Sequence, residues 1–128
     1  MSKTLIVYYS RKGENYVNGS VRNLPKGNTR PELKTYPDSL DGYDTIFVGY
    51  PNWWGTMPMA MFTFLEHFDL SGKRILPFCT NEGSGMGSSE RDLKKVCKGA
   101  KVESGLSIHG AEAANSRSKV ESWVRKLV

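Results

Sequence analysis

Residues 43–70 read YDTIFVGYPNWWGTMPMAMFTFLEHFDL, and the fold is decided in this stretch. Thr45-Ile46-Phe47-Val48-Gly49-Tyr50 is a short apolar run rich in β-branched and aromatic residues, as a buried strand requires. Pro51 stops it, and Trp53 and Trp54 follow back to back before Gly55. A helix is expected next. Thr56 is placed to act as N-cap and Pro58 suits a first turn, while Met57, Met61, Phe62, Phe64, Leu65 and Phe68 supply a wide apolar face. The order is strand, aromatic loop, helix. In an open parallel α/β sheet, ligands bind at the carboxyl ends of strands, so two adjacent indoles there point to a flat aromatic ligand.

Working outward, the same order repeats. Lys3-Thr4-Leu5-Ile6-Val7-Tyr8-Tyr9 is apolar nearly throughout, which reads as a central strand, and Ser10-Arg11-Lys12-Gly13 follows at its carboxyl end. Residues 14–28 are polar, with glycines at 19 and 27 and Pro25, and read as a long loop; Gly27-Asn28-Thr29 suits a turn that exposes N–H groups and a hydroxyl to an anion. Between Arg30 and Asp44, Pro31, Pro37 and Gly42 leave room for one helical turn near residues 31–34. Arg74-Ile75-Leu76-Pro77-Phe78-Cys79-Thr80 is a third strand, with Pro77 tolerated near its end or at a bulge. It runs into Asn81-Glu82-Gly83-Ser84-Gly85-Met86-Gly87, a second glycine-rich loop. Ser88 or Ser89 is expected to cap a helix carrying Leu93, Val96 and Cys97 inward. A fourth strand is expected over 102–108. A last helix, capped by Asn115 or Ser116, carries Val120, Trp123, Val124 and Leu127 on one face. Strands alternating with helices call for a mostly parallel sheet, and parallel strands bring the loops that follow them to one edge.

Composition narrows the function. The 128 residues suit one domain spanning 1–128, with 38% hydrophobic and 24% charged residues and no apolar run near the ~20 residues of a membrane span. The chain enters its first strand directly after Met1-Ser2, without space for a signal peptide, and Cys79 and Cys97 lack metal-ligand spacing. A reducing compartment, the cytoplasm, is the expectation. The formal charge of +5 is scattered, with no basic run of about 5–8 residues, so it reads as a solvated surface and not as a nucleic-acid footprint. Cys79, His67 and His109 fall at strand or helix positions that suit core or surface roles, and no catalytic triad is evident.

Four blocks then resemble the short-flavodoxin branch of the flavodoxin-like flavoproteins, a group that includes NAD(P)H-dependent FMN oxidoreductases. They are Tyr8-Tyr9-Ser10-Arg11-Lys12-Gly13, Gly27-Asn28-Thr29, Gly49-Tyr50-Pro51-Asn52-Trp53-Trp54-Gly55-Thr56-Met57-Pro58, and Pro77-Phe78-Cys79-Thr80-Asn81-Glu82-Gly83-Ser84-Gly85. The third and fourth are the specific ones. The resemblance implies a flavodoxin-like α/β fold, an open parallel sheet of four to five strands with helices on its faces. It also implies FMN held without a covalent bond at the carboxyl edge. Ser10, Arg11, Gly27, Asn28 and Thr29 would surround the phosphate. Pro51, Asn52, Trp53, Trp54, Gly55 and Thr56 would wrap the isoalloxazine, with Trp54 or Trp53 against a ring face. Thr80, Glu82, Gly83, Ser84 and Gly85 would close its other side. Electron transfer, or reduction of a small acceptor such as a quinone, is the implied activity, with reduced nicotinamide or a partner protein as donor.

One departure from the resemblance shapes two further expectations. Thr29 passes directly to Arg30-Pro31-Glu32-Leu33-Lys34, where the family carries a first crossover helix and a second strand. The first strand is then left as an apolar edge, which invites pairing with a second copy of the chain. The alternative function is a flavodoxin-like domain that holds no FMN and serves as an interaction module.

Overall fold

The computed structural model describes residues 3–9, 33, 36–53 and 55–127. Among these, five parallel strands carry the architecture: β1 (Thr4–Tyr8), β2 (Thr45–Pro51), β3 (Arg74–Asn81), β4 (Lys101–Val102) and β5 (Leu106–His109). Helix α1 (Met59–Glu66) joins β2 to β3, α2 (Ser89–Val96) joins β3 to β4, and α3 (Arg117–Leu127) follows a 3-10 segment at Gly110–Asn115. The order across the sheet is β1-β2-β3-β4, with β5 also beside β3. This is the open parallel α/β sheet expected from the sequence. The expected loop at 14–28 and helical turn at 31–34 lie outside the described residues, apart from Leu33.

Register explains which face each strand residue serves. Ile46 pairs with Leu5 and Ile75, Val48 with Val7 and Pro77, and Tyr50 with Cys79, so these side chains share one face. There α1 and α2 bury Met59, Met61, Phe62, Leu65, Leu93 and Cys97 in a continuous core with Ile46, Val48, Tyr50, Ile75 and Cys79. Each fully buried aliphatic side chain contributes roughly 1.5–3 kcal/mol relative to exposure. Helix α2 carries Glu90 and Asp92 in its first turn and Lys94 and Lys95 in its last, complementing the helix dipole at both ends.

The opposite face holds Ile6, Phe47 and Phe78, and α3 lies across it. Trp123 meets Phe47 edge-on at 5.7 Å and donates from Nε1 to the Ser104 carbonyl at 3.1 Å. The Arg74 guanidinium donates to the Leu127 carbonyl and anchors the carboxyl end of α3. A cavity of ≈ 390 Å³ remains between α3 and the sheet, lined by eight apolar side chains including Ile6, Val120 and Trp123. β1 pairs with β2 and with no other described strand, and its Ile6 and Tyr8 are 60% and 66% exposed. Among the described residues β1 therefore stands at the end of the sheet order and not at its centre.

The fourth strand of the sequence reading, 102–108, is two pieces. Ile75 pairs with Val102 and Phe78 with Leu106, so three steps along β3 match four on its neighbour, and 103–105 bulge. Two residues force the break. The Ile75 carbonyl accepts from Glu103 N–H, so the nitrogen of Pro77, two residues on, faces the same neighbour without a hydrogen to offer. Gly105 packs so closely that a Cβ would sit 2.4 Å from Met86 Cε and 3.1 Å from the Pro77 carbonyl oxygen. Its N–H, displaced from the ladder, donates instead to Glu90 Oε2 at 2.9 Å. Replacing Glu90 by Ala removes that acceptor and lowers stability by about 1–3 kcal/mol in urea unfolding, whereas Glu90→Gln, which keeps an oxygen there, loses less.

Candidate cofactor-binding site

The parallel pairing of β2 and β3 ends at Pro51 and Thr80, and Asn52 N–H extends it by donating to the Thr80 carbonyl at 2.9 Å. The two strands thus release their loops side by side. Between these loops lies a cleft of ≈ 300 Å³ lined by Pro51, Asn52, Thr80, Asn81, Glu82, Ser84 and Gly110. It is smaller than the apolar cavity beneath α3. Of these two, the cleft offers polar groups that could orient a ligand, and on that ground it is the candidate site among the described residues.

The loop after β2 is held from behind. Trp53 N–H donates to the Thr56 carbonyl at 2.9 Å and Thr56 N–H returns to the Trp53 carbonyl at 3.1 Å, closing a tight turn with Gly55 at φ 82°. The Gly55 carbonyl accepts from Ser88 N–H at 2.7 Å and from Ser88 Oγ at 3.1 Å. Gly87 makes this approach possible, since a Cβ there would lie 2.2 Å from the Gly55 oxygen. Thr56 Oγ1 donates to Asp92 Oδ2 at 2.6 Å, tying the turn to α2. Thr56 is therefore a tether and not the cap of α1, whose N-cap position is Pro58 without a side-chain hydrogen bond. Ser88 and Ser89 likewise serve the loops: Ser89 Oγ accepts from buried Tyr50 OH at 2.8 Å and donates to the Met86 carbonyl at 2.6 Å.

The loop after β3 is held from both sides of the cleft. Asn81 Oδ1 accepts from Gly83 N–H at 3.0 Å, and Asn52 Nδ2 donates to the Gly85 carbonyl at 2.9 Å. The N–H groups of Ser84 and Gly85 and the hydroxyls of Thr80 and Ser84 have no hydrogen-bond partner among the described residues. Ser84 thus gives the cleft wall a free N–H and a hydroxyl, and Thr80 a hydroxyl, beside the Glu82 carboxylate, while the carbonyls of Thr80 and Gly85 are already engaged. Such a wall can meet an edge that carries both acceptors and a donor, and a flavin's pyrimidine edge, with two oxygens and a ring N–H, is of that kind. At the rim, Glu82 Oε2 lies 3.7 Å from His109 Nε2, an exposed pair that adds little to stability.

Of the sequence-predicted residues, Pro51, Asn52, Thr80, Glu82 and Ser84 line one cleft, and Gly83 and Gly85 shape its loop. Gly55 and Thr56 stand behind it. Trp53 is 5% exposed, with its ring 4.9 Å from Tyr9 and edge-on to it, so it packs into the protein. Ser10, Arg11, Gly27, Asn28, Thr29 and Trp54 lie outside the described residues. Tyr9 N–H donates to the Gly49 carbonyl at 2.9 Å, which brings the end of β1 to the same sheet edge as the cleft. Sequence reasoning passed over Asn81 and Gly110. An Asn two residues before a glycine is a turn signal that could have marked the first; nothing local marks the second. Among the described residues no cluster of metal-ligating side chains is present, and no helix is long and apolar enough to cross a membrane.

An open parallel sheet with helices on its faces and a polar cleft at its carboxyl edge is an α/β architecture of the flavodoxin-like kind. The chain belongs to the flavodoxin family, whose sequence model matches residues 5–127. Solved structures agree. A Bacteroides uniformis chain described as a flavoprotein shares 27% identity at a TM-score of 0.74, covering 97% of this chain and 98% of that one. A Bacteroides eggerthii chain described in the same way shares 24% at 0.67, covering 95% and 98%. A Lactobacillus acidophilus flavoprotein solved in complex with FMN shares the fold at 19% identity and 0.55, covering 90% and 98%. No curated protein matches the chain.

Beneath the cleft, Cys79 is fully buried, its thiol 3.9 Å from the Gly85 carbonyl oxygen. Burial pushes the thiols of Cys79 and Cys97 up to about 12, and raises the Tyr50 phenol as well. In the unfolded chain these thiols ionise near 9.0, so above that pH unfolding releases protons that the folded state retains. The folded state is thus fully favoured below pH 9 and loses stability as pH rises toward 12, by about 1.4 kcal/mol per pH unit per thiol. Urea midpoints measured on either side of pH 9 should show this fall. Replacing both cysteines by Ser should flatten the part that the thiols contribute.

Proposed function

We propose that this chain binds FMN in the cleft between the loops following β2 and β3, and works as an electron carrier or a reductase of a small acceptor such as a quinone. The observation that supports this most is the cleft wall itself. The Ser84 N–H and the hydroxyls of Thr80 and Ser84, without a partner among the described residues, stand at the edge where parallel α/β sheets take their ligands. Family membership and the FMN complex of the Lactobacillus acidophilus protein support the same cofactor.

In this reading the backbone of 82–85 donates to the polar edge of the ring, and Asn52 and Pro51 form the facing wall. Trp54 supplies the stacking surface, because Trp53 is already packed against Tyr9. Ser10, Arg11, Gly27, Asn28 and Thr29 hold the phosphate. When bound, FMN supplies the electron chemistry, and the chain's own groups bind it, orient it and limit its contact with water. Reduced nicotinamide or a partner protein is the electron source in this reading, with a cytoplasmic setting.

The exposed edge supports one addition, a homodimer formed through β1. Its outer backbone groups lack a described partner strand, and Ile6 and Tyr8 lie open beside it. Sedimentation of the concentrated protein should give twice the monomer mass; a monomer would remove this addition and leave the cofactor reading intact.

Titration of the purified protein with FMN, followed by flavin and Trp fluorescence, tests the function. Binding at about 1 μM or tighter is expected, near −8 kcal/mol, and Trp54→Ala should weaken it by roughly tenfold. An absence of binding at tens of micromolar FMN would return the chain to the interaction-module reading.

A further inference from the structure

Asn81 stands inside the fourth resembling block without a binding role assigned to it there, yet it has a distinct place in the cleft. It is the last residue of β3, 8% exposed, and both ends of its amide are engaged. Oδ1 accepts from Gly83 N–H at 3.0 Å, while Nδ2 donates across the sheet to Ser107 Oγ on β5 at 2.8 Å. The second bond fixes which way the amide points, and therefore fixes the first. From the facing wall, Asn52 Nδ2 holds the Gly85 carbonyl at 2.9 Å.

Two side-chain amides, one on each wall, thus pin the ends of a segment only three residues long, Gly83-Ser84-Gly85. Both glycines sit at positive φ, 113° and 69°, where the backbone has wide freedom unless something holds it. No backbone hydrogen bond within the loop does so among the described residues. We propose that Asn81, oriented by Ser107 and working opposite Asn52, is a positioning residue that fixes this segment so that the Ser84 and Gly85 N–H groups face the cleft. The inference rests on the FMN reading for its consequence, but the fixing of the loop is a property of the protein alone.

A loop fixed before the ligand arrives avoids the entropy of ordering it on binding, so loss of the amide is felt as weaker affinity. The experiment has two arms on the full chain. Hydrogen exchange by NMR, without cofactor, reads the Gly83 amide in the native protein and in Asn81→Ala, Asn81→Ser and Ser107→Ala. FMN titration reads the same four proteins, with thermal melts as the check on folding. Asn81→Ala is expected to lose Gly83 protection and to bind FMN about tenfold more weakly. Asn81→Ser, whose hydroxyl makes the same turn two residues on, recovers part of both effects. Ser107→Ala, which touches neither the loop nor the cleft, shifts both in the direction of Asn81→Ala.

Unchanged Gly83 protection in Asn81→Ala overturns the proposal, and so does unchanged affinity alongside lost protection. Should the native protein fail to bind FMN, the cofactor reading falls, and the exchange arm still decides whether Asn81 holds the loop.

Discussion

The parallel pairing of β2 with β3, seven residues in continuous register from Thr45 against Arg74 to Pro51 against Thr80, is the constraint that the rest of the described structure depends on. It sets Ile46, Val48 and Tyr50 beside Ile75 and Cys79 on one face, where α1 and α2 complete a core. The same register makes both strands end together. Because their ends coincide, the aromatic loop and the glycine-rich loop begin as neighbours, and the cleft between them follows from the ladder before any side chain in the cleft is considered. A slip of one residue would turn every core side chain to the opposite face, so the position of the site is protected by the stability of the core.

Much of this was legible in the sequence because it depends on pattern. The apolar runs at 45–50 and 74–80, each followed by turn residues and an amphipathic segment, gave strands, helices and parallel pairing, and placed Pro51, Asn52, Thr80, Glu82 and Ser84 at one edge. What was not legible depends on tertiary competition for a single group. Thr56 looks like a helix cap from its neighbours, but Asp92, 36 residues away, takes its hydroxyl. Ser89 looks like a cap until Tyr50 and Met86 claim both sides of its oxygen. The break in the last strand came from Pro77 and from the crowding of Gly105 against it, neither of which local propensity registers. Asn81 was passed over for a related reason. Its local turn signal was present, but its weight comes from Ser107 on a strand far along the chain.

The bulge and the cleft are linked through α2. Glu90 leaves that helix to satisfy Gly105 at the bulge, Asp92 leaves it to hold Thr56, and Ser88 and Ser89 at its start hold Gly55 and Tyr50. One short helix thus connects the aromatic turn, the β3 loop and the interrupted strand. Its first turn is polar in sequence, which by itself reads as an unremarkable solvated helix start. In the structure nearly every polar group of that turn is used for a distant contact, and only Leu93 of the helix interior is fully buried among apolar neighbours. The helix is therefore held as much by these polar ties as by its apolar stripe.

The distribution of hydrogen bonds around the cleft then has a chemical meaning. Carbonyl oxygens at Thr80, Gly85 and Gly55 are consumed by Asn52, again by Asn52, and by Ser88, all within the protein. Amide hydrogens at Ser84 and Gly85 are not. The Glu82 carboxylate lines the same cleft, so the wall offers acceptors as well as donors. The two amide side chains act in opposite senses: Asn52 Nδ2 takes up the Gly85 carbonyl, and Asn81 Oδ1 takes up the Gly83 N–H. A cleft built this way can meet both kinds of group on a ligand, and what it fixes is where each one stands. That placement lies in the paired asparagines, and the glycines only allow the backbone to reach them.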